Sequence, residues 1–185
     1  MGGSARGVHS MDHIEIRTAR LLLRPIGPGD LESTYAYAGD AENTRWMMFL
    51  PLRDLDETRE YLAAFEREWR SADPNALEFA ILLDGRHIGE VGLEFDPART
   101  TAELGWVLHP RWQGRGYATE AARAVMDYGH ERLGYRHFIA HCDAENAASA
   151  AVMRKLGMVL ADAAGTRKNR GSDEPRREHR YEASL

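Results

Sequence analysis

The chain has 185 residues, 43% hydrophobic and 29% charged, with a single cysteine and a formal net charge of −5. That length holds one domain whose core can stand without covalent staples. One cysteine excludes an internal disulfide framework and a multi-cysteine zinc site, and the negative balance argues against a general nucleic-acid coat. No apolar run approaches the roughly 20 residues a bilayer span needs, and residues 1–10 lack the apolar centre of a signal peptide. These features predict a cytoplasmic protein with a flexible leader over residues 1–11 and one domain over 12–185.

In chain order, residues 14–25 alternate loosely (Ile14, Ile16, then Leu21 to Leu23) and predict a strand ended by Pro25. Asp30 is placed to cap a short helix through Ala38. Trp46 to Pro51 is a bulky apolar loop, suited to the core or to a groove wall. Asp54 and Glu57 resemble a capping box. Behind them Leu55, Leu62, Phe65 and Trp69 recur at helical spacing, predicting an amphipathic helix to Arg70. The period then changes. Residues 77–83 and 87–95 read as strands joined by an Asp84-Gly85 hairpin turn. Asp96-Pro97 breaks the second strand, and residues 101–108 form a third.

A Gly-rich turn then leads into a helix over about 117–133, with Ala118, Ala121, Ala122, Val125, Met126 and Leu133 as its stripe and Gly134 as its stop. Residues 135–142 read as a strand, 146–156 as a helix closed by Gly157, and 158–163 and 179–185 as closing strands. His137 and His141 fall on one strand without a third ligand, so they read as surface or strand histidines, and no metal site is expected. Cys142 reads as a buried apolar thiol. From Arg167 onward the tail carries +2 against −7 ahead of it. That fits a solvated loop before the last strand, or a contact surface for an anionic partner. The order predicts an α/β or α+β domain with a partly antiparallel sheet.

The stretch that carries chemistry runs from Leu108 to Glu120, where a strand ends, a Gly-rich turn follows and a helix begins. Successive N–H groups at such a turn have no helical partners and, with the helix dipole, make an anion site. Gly114 and Gly116 let the backbone approach a phosphate closely, and Arg111 and Arg115 are placed to add charge. The P-loop pattern fails for want of a Lys-Ser/Thr pair. The dinucleotide fingerprint fails because Thr119 replaces its third glycine.

Gln113-x-x-Gly116-x-Ala118 resembles the Q/R-x-x-G-x-G/A signature of the GNAT superfamily of acetyl-CoA-dependent N-acetyltransferases. Residues 102–108 (AELGWVL) resemble that family's splayed fourth strand, and residues 146–158 its N-x-x-S-x-x-V-x-x-K-L-G-F helix. Thr18, Arg20, Leu21, Leu23, Arg24 and Pro25 resemble the T-x-R-L-x-L-R-P opening of its ribosomal-protein N-terminal (Rim-type) branch. The resemblance runs from about residue 14 to the end.

The resemblance implies a central mixed, largely antiparallel sheet splayed between strands four and five, with helices on both faces. It further implies that the backbone of Trp106, Val107 and Leu108 pairs with the pantetheine of acetyl-CoA. The turn of Gln113, Gly114, Arg115, Gly116, Tyr117, Ala118 and Thr119 would hold the pyrophosphate, and Asn146 would reach the pantetheine arm. Acyl transfer then needs a base, an oxyanion donor and an acid for the thiolate. Glu103 is the candidate base, through water, and a backbone N–H near Val107 the oxyanion donor. The tyrosine that many relatives carry seven residues after the asparagine is here Met153, so Ser149 becomes the candidate acid. The expected acceptor is a peptide N-terminal amine or a small amine of similar pKa rather than an internal lysine, and the expected assembly a monomer or homodimer. Neither nucleic acid nor membrane is expected as a partner. A catalytically idle acyl-CoA-binding sensor is the alternative, and it would need neither Glu103 nor Ser149.

Overall fold

The computed structural model describes residues 14–185, so the expected leader over 1–11 lies outside the described residues. Its eight strands are β1 (Ile16–Arg17), β2 (Leu21–Pro25), β3 (Ala76–Leu83), β4 (Arg86–Phe95), β5 (Thr101–Leu108), β6 (His137–Asp143), β7 (Val159–Arg167) and β8 (Arg176–Ser184). The helices are α1 (Leu31–Ala38), α2 (Leu55–Arg70), α3 (Tyr117–Glu131) and α4 (Ala147–Lys155). One sheet carries every strand in the order β1-β2-β3-β4-β5-β6-β8-β7, antiparallel except for β5 beside β6. The expected splayed sheet is therefore present. The family's strands four and five correspond to β5 and β6, because the opening hairpin adds a short strand.

Local chemistry sets several of these elements. Asp84 and Gly85 both have positive φ, the geometry of a two-residue hairpin turn, and so fix the β3–β4 register at Leu83 opposite Arg86. Asp54 caps α2 by accepting a hydrogen bond from the Glu57 N–H at 2.8 Å, worth about 1 kcal/mol. Glu57 reaches back to the Arg53 N–H rather than to the cap residue, so the box is one residue wider than expected. Trp69 is fully enclosed. It packs edge-on against Phe79 at 4.9 Å, and its indole N–H donates to the Glu78 carbonyl.

The structure corrects several boundaries. The strand expected over 14–25 is a hairpin, turned at residues 18–20 where the Thr18 hydroxyl takes the Leu21 N–H. Asp30 precedes α1 but its carboxylate does not cap it, since Arg24 grips both oxygens and the Gly27 N–H donates to one. The long helix stops at Glu131, and the strand after it starts at His137.

The basic tail divides: residues 171–175 form the expected exposed loop before β8, whereas Arg167, Arg170 and Arg176 are committed to partners rather than open to an anion. Arg167 donates to Asn169, Glu178 and the Trp46 carbonyl, and Arg170 to Glu57 and the Phe49 carbonyl. Arg176 pairs with Asp143 and Glu145. These arginines pin the 46–50 loop down over one face of the sheet. Within that loop Leu50 is buried, whereas Met48 and Phe49 stay exposed, so it serves the core and a groove wall together.

The two sheet faces differ. One buries the main core, in which Phe79, Val91, Leu93 and Phe138 meet α3 through Ala121, Val125 and Met126. The other is only partly covered by α1 and α2, through smaller clusters around Leu62 with Ala80 and around Tyr37 with Val107. No described helix is long and apolar enough to cross a membrane.

Candidate active site

β5 pairs with β4 along its whole length but with β6 only from Thr101 to Glu103. Beyond Glu103 the two strands part, leaving one edge of β5 open. Alternation decides which groups face the gap. The His109 N–H bonds the Ile88 carbonyl of β4, so His109, Val107 and Gly105 turn their main chains toward β4. Trp106 and Leu108 turn theirs toward the gap. This corrects part of the expected track: Val107 offers no free main-chain group there and contributes an enclosed side chain instead. The Leu108 carbonyl is already engaged, by Asn43 Nδ2 and Gln113 Nε2 at 3.1 Å each.

Gln113 is thus a brace for the strand exit, and Asn43 holds it at 2.7 Å. The turn behind it fits a pyrophosphate. Gly114 and Gly116 have φ of +74° and +83°, which residues with a Cβ rarely adopt. The first helical bond of α3 is from the Glu120 N–H to the Gly116 carbonyl. Among the described residues, no partner is found for the N–H groups of residues 114–119, which open at the positive end of the helix dipole. Arg20 ties this turn to the opening hairpin. Its guanidinium donates to the Arg115 carbonyl, pairs with Glu120 at 2.6 Å and lies 4.4 Å over the Tyr117 ring. Arg115 itself leans on Trp112, 5.5 Å from the ring centroid, so its charge is not aimed into the cleft. Arg45 and Lys155 line the cleft instead; Arg45 belongs to none of the expected motifs, and Lys155 is the lysine of the 146–158 helix motif.

Two cavities meet at the gap. One, of about 620 Å³, runs along Trp106, Leu108, Gln113, Gly114 and Gly116 to Thr119. The other, of about 530 Å³, lies over the partly covered sheet face under the 46–50 loop. Trp106, Val107, Asn146 and Ser149 line both. At this junction Asn146 caps α4: its Oδ1 accepts the Ser149 N–H and its Nδ2 donates to Ser149 Oγ, both at 3.1 Å. The Ser149 oxygen therefore receives a bond, and among the described residues its own proton is not committed. Met153, at the position of the expected tyrosine, is buried in the core.

Glu103 lines the second cavity, and its Oε1 stands 2.8 Å from His141 Nδ1. The hydrogen bond to Glu103 holds His141 above the usual imidazole range, against the opposing effect of burial. His141, expected to be a surface or strand histidine, instead joins the site. Its pairing with Glu103 follows from β5–β6 register, since Ile139 lies opposite Glu103 and His141 shares its face. The His137 side chain bonds Ser184 and, among the described residues, does not line the cavity, as expected of a strand histidine. Burial pushes the Cys142 thiol up, as expected of an inert thiol.

Residues 20–159 match the family model of the acetyltransferase (GNAT) domain. The chain is 33% identical over 147 residues to the "uncharacterized N-acetyltransferase YnaD" of Bacillus subtilis (strain 168), covering 78% of this chain and 82% of that protein. It is 29% identical over 145 residues to the spermidine N(1)-acetyltransferase of Escherichia coli (strain K12), covering 75% and 72%. The solved structure of RimL, a ribosomal L7/L12 alpha-N-protein acetyltransferase in complex with coenzyme A, superposes with a TM-score of 0.83 over 93% of this chain and 98% of that one. At 19% identity that match speaks to the fold. With a matched domain spanning most of its length and a relative 33% identical over 78% of it, the chain belongs to the GNAT family of acetyl-CoA-dependent acetyltransferases.

Proposed function

We propose that this acetyltransferase transfers the acetyl group to a primary amine seated in the cavity over the partly covered sheet face, an N-terminal peptide amine or a small amine. The observation that carries the reading is the junction of the two cavities at Trp106, Val107, Asn146 and Ser149, with the Glu103–His141 pair lining the acceptor side. Relatives do not choose the acceptor. One is a spermidine enzyme and a structural neighbour modifies a ribosomal protein.

In this reading the turn of residues 113–119 and Asn146 hold acetyl-CoA, through main-chain N–H groups in the turn. The open edge of β5 at Trp106 and Leu108 receives the arm. Main-chain N–H groups on that edge stabilise the thioester oxygen as it gathers charge. His141, with Nδ1–H donated to Glu103, keeps Nε2 free to take a proton from the ammonium. The neutral nitrogen forms the new C–N bond; as the C–S bond breaks, Ser149 gives its proton to the departing thiolate and takes back, through solvent, the second proton that the nitrogen sheds, so that one proton remains on His141 for release. Glu103 acts by orienting His141 and stabilising its cation, in place of a water-linked base.

The test is acceptor-dependent thiol release from acetyl-CoA. The panel is small amines, a peptide with a free N-terminus and its N-blocked, lysine-containing twin. Release with one or more of the first two classes, exceeding that with the blocked twin at pH 7.5, is expected. No acceptor-dependent release with any amine, or preference for the blocked lysine peptide, overturns the reading.

A further inference from the structure

The acceptor cavity has an acidic floor. Glu78, Glu90, Glu94 and Glu103 all line it, and among the described residues Arg167 and His141 are its only basic side chains. Arg167 is paired to Glu178 and His141 to Glu103. Strand register explains the cluster. Glu90, Gly92 and Glu94 of β4 lie opposite Val107, Gly105 and Glu103 of β5, and Glu78 of β3 lies opposite Gly92. All therefore share one face.

The four carboxylates are not equivalent. Glu90 is buried and satisfied, taking the Tyr37 and Tyr61 hydroxyls at 2.8 and 2.6 Å. Glu103 holds His141, and Glu94 sits exposed at the mouth. Glu78 lies flat across Gly92, where a Cβ would sit on its carboxylate. Among the described residues no donor reaches that carboxylate, and burial together with Glu90 and Glu94 pushes it well above the usual carboxylate range. Glu78 is half-buried, and its carboxylate faces the cavity, whose reaction consumes a cationic amine.

The route from Glu78 to the gap is open. It starts where the Glu78 carboxylate overlies Gly92 and passes over Gly105, whose missing Cβ would meet nothing within 4 Å. One strand spacing, about 5 Å, separates the Glu78 carboxylate over Gly92 from Gly105 of β5. The walls along this lane are Ala64, Phe65, Ala76 and Met48. Such walls suit methylenes and offer no side-chain partners to peptide amides.

We propose that the acceptor is a small aliphatic amine with at least two positive charges, a diamine or polyamine. Its reacting nitrogen lies at the gap by His141 and Ser149, its methylenes cross Gly105, and its second ammonium rests on the Glu78 carboxylate over Gly92, with Glu94 beside it. This inference rests on the acetyl-transfer reading and narrows it.

Binding and turnover are measured separately, so the two can fail separately. Calorimetry on the Ser149→Ala protein saturated with CoA compares spermidine, 1,4-diaminobutane and n-butylamine. Steady-state kinetics on the wild-type enzyme compare the same amines and a free-N-terminus peptide. Spermidine or the diamine is expected to bind at least tenfold more tightly than butylamine, with a matching ratio in kcat/KM. Glu78→Gln and Glu94→Gln, each near-isosteric, are each expected to reduce that ratio severalfold or more. Equal binding of butylamine and the polycations, a peptide preferred over them, or an unchanged ratio in both variants overturns the inference. Tight polycation binding without transfer to any amine would instead sink the acetyl-transfer reading.

Discussion

His141 Nδ1 and Glu103 Oε1 stand 2.8 Å apart across the point where β5 and β6 begin to part. The pair makes the imidazole basic: the bond to Glu103 holds His141 above its usual range of about 6.5. If neutral His141 takes the proton of the acceptor ammonium, kcat/KM rises with pH through that raised value. Glu103→Gln removes the partner that raises it, so the rising limb should move to lower pH as the plateau falls. His141→Asn should lose about 10²–10⁴-fold in kcat, the scale of one acid–base group. A pH–rate profile of Glu103→Gln that overlays the wild type would remove the dyad from the mechanism.

Ser149 is tested through the bond it receives. Asn146 Nδ2 donates to its oxygen, which leaves the hydroxyl proton for the thiolate. Ser149→Ala should lower kcat by about 10²-fold with little change in the KM for acetyl-CoA. Asn146→Ala loses the cap of α4 as well, so it should also lower stability by about 1 kcal/mol. Rescue of kcat by Ser149→Thr would separate the hydroxyl's chemistry from its packing. Wild-type turnover in Ser149→Ala would leave the residue a structural role only.

What the chain revealed in advance follows how local each feature is. The phosphate turn was legible because Gly114, Gly116 and the start of α3 are contiguous, and their geometry depends on neighbours in sequence. The acidic floor was not, because Glu78, Glu90, Glu94 and Glu103 come from three strands. A glutamate every second or fourth residue in a half-buried strand resembles a solvent face. Only the β3–β4–β5 register shows those residues sharing a cavity. His141 was hidden for the same reason: its partner is 38 residues away. Arg167, Arg170 and Arg176 read as tail charge because nothing local says that they bond the 46–50 loop and Asp143.

Gly116→Asp tests the anion turn. The position has φ of +83°, so any side chain is strained there, although Asp tolerates that region better than most residues. An added Cβ would come within 3.4 Å of Arg20 Nη2, the far end of a flexible side chain, so the fold should survive. The new carboxylate would oppose a pyrophosphate at the helix start. Loss of acetyl-CoA binding by calorimetry, with an intact unfolding transition, is the expected result. Unchanged affinity would move the pyrophosphate elsewhere.

Arg170 is expected to set both the acceptor wall and the acid stability. Its guanidinium holds the Phe49 carbonyl and pairs with Glu57 at 2.7 Å. Arg170→Ala should loosen the loop over the acceptor cavity, raising the acceptor KM while the KM for acetyl-CoA stays close to wild type. Arg170 first, and Arg53 second, hold Glu57 down to about 2 from its usual 4.5. A depressed carboxylate stabilises the fold fully above its unfolded value and loses that contribution as pH falls through its folded one. The stability gap between wild type and Arg170→Ala should therefore be largest at neutral pH and shrink between about 4.5 and about 2. Because the pair is near the surface, added salt should narrow the gap as well. Urea midpoints measured from pH 7 down to pH 2 decide the matter: a gap independent of pH would mean that Arg170 acts through the Phe49 carbonyl alone.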